Sequence, residues 1–133
     1  MRHTLHTLLL LLPALVVLQA TPSHAAPAPE TLRGEYTTWD GFGDGKLEVV
    51  FTPTGSNQWT VAFHFTFDGQ AHVYNGTAQG SLTEGELKGR VFNESRSRTF
   101  TFKGSFKDGT FSGTHSELDD GEENEMGLLT LKR

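Results

Sequence analysis

The chain has 133 residues, a formal charge of −5 and no cysteine, which excludes a disulfide framework, thiol chemistry and a lipid anchor on cysteine. Ten phenylalanines remain as the main source of core burial. Past residue 25, ten acids face ten bases outside a single acidic run, a balance that argues against general nucleic-acid binding.

Residues 1–25 have the organisation of a secretory signal peptide: Arg2 with two histidines, then an apolar run from Leu8 to Val17 interrupted by Pro13, then small residues at Ser23 and Ala25. Cleavage is expected after Ala25 or Ala26. That run is too short for a bilayer anchor, so the product is expected in the periplasm or the medium, with no membrane insertion. Residues 26–31 (Ala-Pro-Ala-Pro-Glu-Thr) read as a flexible leader, and residues 32–133 as one domain.

Period-two alternation dominates this domain, and no segment keeps helical spacing over two turns. Strands are predicted near 32–39, 46–53, 58–67, 70–82, 86–92, 98–106, 110–117 and 127–132. The clearest is the third, where Trp59, Val61, Phe63, Phe65 and Phe67 share one face. Three copies of one hairpin pattern follow the form apolar, two residues ending in Asp or Glu, Gly, any residue, apolar. These are Phe42 to Leu47, Leu82 to Leu87 and Phe106 to Phe111. In each, the residue pair ending in glycine is expected to form a two-residue turn that sets the outer apolar residues face to face. Asp68-Gly69 closes a fourth hairpin. The segments beginning Gly80-Ser81 and Gly104-Ser105 form a longer repeat, whose register opposes Gly80 to Gly89 and Gly104 to Gly113 and lets the sheet bend. All connections are predicted short except the acidic one around Asp119 to Glu125.

The expected fold class is therefore all-β: a single small antiparallel up-and-down meander of about eight strands, closed or nearly closed into a barrel, with a two-layer β-sandwich as the alternative. Lys46, Glu48, Thr60, His64, Lys88 and Arg90 on the outward face exclude an outer-membrane barrel. The architecture resembles that of avidins and lipocalins, but no motif of either is present and no residue role is carried over from them.

Strand parity places several polar residues on the inner face. His72 and Tyr74 oppose Phe65 and Phe63, His115 opposes Phe102, and Glu117 opposes Phe100; Asp40 and Tyr36 share the parity of Phe42. Asp40, His72, Tyr74, His115 and Glu117 are the candidate ligand-binding residues, and strand direction puts Asp40, His72 and Glu117 toward one end of the barrel. The His115-x-Glu117 spacing puts both side chains on one strand face, so His72, His115 and Glu117 are also a candidate divalent-metal set; no other cofactor is expected. The acidic run lacks the ligand pattern of a calcium loop and reads as solvated. The basic stretch Lys88, Arg90, Arg96, Arg98, Lys103 and Lys107 is expected largely on the outer face, where it would attract an anionic partner or offset the acidic run.

No nucleophile elbow, zinc-protease motif or phosphate loop occurs. The leading functional expectation is an exported, monomeric, non-catalytic module that binds a small ligand or an envelope protein. One alternative is a small secreted hydrolase using carboxylate and histidine groups at the barrel mouth. The other is a structural or stress-related envelope protein without a ligand site.

Overall fold

The computed structural model describes residues 28–133, together with Pro13 and Val16; the signal-peptide expectation lies outside the described residues. Eight strands run β1 (Glu30–Tyr36), β2 (Gly45–Gly55), β3 (Gln58–Phe67), β4 (Gln70–Gly80), β5 (Gly85–Asn93), β6 (Arg98–Lys107), β7 (Thr110–Asp119) and β8 (Glu122–Lys132). Each pairs antiparallel with the next, and β1 pairs with β8 from Arg33↔Lys132 to Tyr36↔Leu129, which closes the barrel and leaves no free edge. Closure excludes the two-layer sandwich. The seam admits no side chain at Gly34, where a Cβ would run into the Thr130 carbonyl.

Alternation and turn chemistry build this meander. The turns Asp68-Gly69 and Asp108-Gly109 both take positive φ at each residue (52° and 73°, 52° and 78°), the geometry that matches strand twist. Phe106 pairs with Phe111 and Gly104 with Gly113, as the repeat predicts.

Three local expectations are corrected. The acidic connection is not a loop: Asp120-Gly121 is another tight turn, with φ of 47° and 80°, and its carboxylates are carried on the extended ends of β7 and β8. Asp44-Gly45 is not a hairpin turn. β1 stops at Tyr36, Tyr36 pairs with Gly45, and Phe42 is 89% exposed instead of facing Leu47. Side chains that cap the backbone outcompete the tight turn here: Asp44 Oδ1 accepts from the Thr38 amide, while Asp40 Oδ1 accepts from the Phe42 amide and the Thr38 hydroxyl. In the third case Glu84-Gly85 gives way to a four-residue connection, with Ser81 Oγ accepting from the Thr83 and Glu84 amides. The register then sets Gly80 against Leu87 and Ala78 against Gly89, not glycine against glycine. Leu82 and Leu87 are still both buried, Leu82 covering the barrel floor from its loop.

The barrel has two ends of different character. The floor carries residues 56–57, 81–84 and 108–109, and above it Leu32, Phe51, Leu87, Phe111 and Leu131 are fully buried. Trp59 is fixed over this layer by its indole N–H, which donates to the Gly80 carbonyl at 2.9 Å, and by an edge-on contact with Phe51. The mouth carries the connections 37–44, 68–69, 94–97 and 120–121.

Candidate functional site

Between the packed floor and the mouth lies a cavity of about 220 Å³. Its walls are chiefly aromatic: Phe63, Phe65 and Phe67 of β3, Tyr74 of β4, Phe100 and Phe102 of β6, and Tyr36 at the end of β1, with Leu47, Val91, Met126 and Leu129 between them. Each wall residue comes from the inward parity of its strand. Met126 is the exception, an extra residue where the β7–β8 register shifts between His115 and Ser116. Tyr74 stands at the centre of the aromatic set, 5.5 Å from Phe65 and 5.3 Å from Phe100 between ring centroids.

Of the five candidate ligand residues, Asp40, His72, Tyr74 and His115 line this cavity and Glu117 does not. His72 opposes Phe65, Tyr74 opposes Phe63, His115 opposes Phe102 and Glu117 opposes Phe100. The His72 ring packs against Phe65 and Phe67, is 7% exposed, and its Nε2 is buried with no hydrogen-bond partner. His115 Nε2 lies 2.7 Å from the Thr37 carbonyl, a contact that an N–H at this position makes as donor. Burial raises the Tyr74 hydroxyl pKa, with Arg98 and Arg96 pulling the other way, so the phenol stays a neutral donor at neutral pH. Burial, with Asp44 in second place, does the same for Tyr36.

Glu117 is committed elsewhere. Both of its oxygens accept from Arg98, at 2.9 and 3.0 Å, in a two-pronged pair above the Phe100 ring. The pair keeps partial contact with water, its side chains being 38% and 29% exposed, and contributes at most about 1 kcal/mol to stability. Hydrogen bonding to Glu117 raises the Arg98 pKa further, so its charge is permanent. Asp40, fully exposed, is held below the usual carboxylate range first by the Phe42 amide and then by the Thr38 hydroxyl. Its role is to order the loop that forms one side of the mouth. Among the described residues no group of three His, Asp or Glu is disposed to hold a metal ion, and His72, His115 and Glu117 are not brought together as a ligand set.

Two residues at the mouth fall outside the five candidates: Arg96, in the short 3₁₀ turn Glu94–Arg96, and Arg98 at the start of β6. The parity of Phe100 and Phe102 already places Arg98 inside, a signal masked when the basic stretch is read as one surface. Its other members divide differently. Lys88, Arg90 and Lys103 border a shallow groove on the outer wall, where Lys88 faces Lys103 across the β5–β6 pairing. No protein-family model matches the chain, and no curated protein matches it in sequence.

Proposed function

We propose that the protein is an exported, non-catalytic binding module that takes one small, largely apolar molecule into the upper half of its barrel. The observation that carries this reading is the cavity itself: about 220 Å³ walled chiefly by phenylalanine and tyrosine rings, opening at a mouth where the polar groups are gathered. A dry apolar cavity of roughly 150 Å³ accommodates a benzene ring, so this one suits a body of roughly ten non-hydrogen atoms. Binding is favoured over acid–base catalysis because the carboxylates nearby are occupied. Glu117 is paired to Arg98, and Asp40 is both loop-bonded and held toward its ionised form.

The test is titration of the purified protein with the neutral, environment-sensitive dye 1-naphthylamine, whose aromatic body of about eleven non-hydrogen atoms matches the cavity. Saturable enhancement of its fluorescence at one site per chain is expected, and Val91→Phe, which fills the cavity wall from a position 3% exposed, should remove it. Circular dichroism establishes that this variant keeps its strands. Absence of a saturable signal, or equal signal from the folded Val91→Phe variant, would overturn the reading.

A further inference from the structure

The polar groups around the cavity are unevenly committed, and this imbalance identifies the chemistry of the ligand's polar end. His72 Nε2 is the one buried side-chain polar atom without a partner among the described residues, and its ring lines the cavity. A hydrogen-bonding nitrogen left unsatisfied beside Phe65 and Phe67 costs free energy, which a ligand group that reaches it recovers. Glu117 is neutralised, both of its oxygens being held by Arg98, while Asp40 keeps its charge with Oδ1 bonded to neutral donors of its own loop. Arg96 is the reverse case. Its guanidinium lines the same mouth, has no carboxylate partner among the described residues, and makes only a long 3.4 Å contact to Gln70 Oε1 at the head of β4. That contact brings Arg96 to the strand that carries His72. Arg96 is thus the cation at the mouth that no carboxylate holds, whereas Asp40 keeps its charge but is bonded into its own loop.

We infer that the ligand is an amphipathic monocarboxylic acid, its carboxylate recognised by Arg96 and His72 at the mouth and its apolar body of roughly ten non-hydrogen atoms lodged among the aromatic walls. The inference rests on the reading of the cavity as a ligand site. A planar guanidinium matches a carboxylate with two parallel hydrogen bonds, and one free arginine balances one negative charge. The Asp40 carboxylate at the same mouth opposes an anion, so the paired hydrogen bonds to Arg96 have to outweigh that repulsion.

The experiment is isothermal titration of the protein with octanoate, octanol and octylamine near neutral pH and at physiological salt. Octanoate should bind about tenfold more tightly than octanol, equivalent to about 1.4 kcal/mol, and octylamine least. Arg96→Gln, at an exposed position, should bring octanoate down to the octanol level while leaving octanol unchanged, and His72→Leu should weaken octanoate more than octanol. Equal affinity for acid and alcohol, preference for the amine, or an octanoate affinity untouched by Arg96→Gln would overturn the inference while leaving the cavity a binding site if the neutral dye still binds. Failure of all three probes overturns it as well, and failure of the dye too overturns the underlying reading.

Discussion

The two halves of the barrel are built from the same alternating strands, yet one is closed packing and the other is a cup. In the lower half Phe51, Phe111, Leu32, Leu87 and Leu131 are completely buried and Leu82 covers the floor. In the upper half Phe65 and Phe100 are only partly buried, Phe67 is 40% exposed, and polar groups occupy inward positions on β4, β6 and β7. The difference lies in what stands opposite each aromatic. Phe106 meets Phe111 across a strand pair, whereas Phe65 meets His72, Phe102 meets His115 and Phe100 meets Glu117. Stability is thereby concentrated at one end and recognition at the other, an arrangement in which the open half can tolerate a cavity because the closed half holds the fold.

The largest expected effect separates the halves directly. Phe111→Ala should lower unfolding free energy by about 3–5 kcal/mol in urea denaturation, since a fully buried ring leaves a void that the barrel cannot collapse. Phe65→Ala, facing the cavity, should lower it by less than half as much, and equal losses would mean that the two halves are packed alike. A smaller change of opposite sign is expected at His72. Replacement by leucine, of similar volume, removes a buried nitrogen with no partner and should raise stability in the ligand-free protein by about 1–3 kcal/mol. Destabilisation would instead mean that the imidazole has a hydrogen-bond partner. The smallest effect is at the mouth loop. The Asp40 carboxyl is held below its ordinary value of 3.8 in the fold, so its contribution to loop order is present above that value and is lost as pH falls through the lowered one. Amide chemical shifts of Phe42 and Gly43 should move together over that acid range while those of Phe111 and Leu131 stay fixed.

Most of the barrel was legible because its signals are local. Alternation identified the inward face, and Asp-Gly turns fixed the registers at Asp68-Gly69 and Asp108-Gly109, which in turn placed His72, Tyr74, His115 and Glu117 opposite their aromatic partners. The same rule failed where other chemistry competed. At Asp44-Gly45 the side chains of Thr38, Asp40 and Asp44 organise a wider loop, and at Glu84-Gly85 glutamate has no favourable left-handed conformation and Ser81 bonds the connection instead. Asp120-Gly121 carried a clear turn signal, but six carboxylates around it invited a reading of the charge before the turn. The candidate site was half legible. Parity predicted which residues face inward; it could not predict that Glu117 would be captured by Arg98, because that depends on two side chains meeting across the β6–β7 pairing.

The β1–β8 seam also governs how this chain reaches its fold. The first and last strands meet there, with the Thr130 hydroxyl donating to the Glu35 carbonyl across 95 residues of sequence, so the loop that must be closed is nearly the whole domain. Six hairpin pairings form among β1 to β7, but the β7–β8 hairpin and the closing β1–β8 pairing both wait for the final strand, and until then two unpaired edges are open to other chains. Truncation before Glu122 should therefore yield a species that self-associates through those edges rather than a smaller barrel.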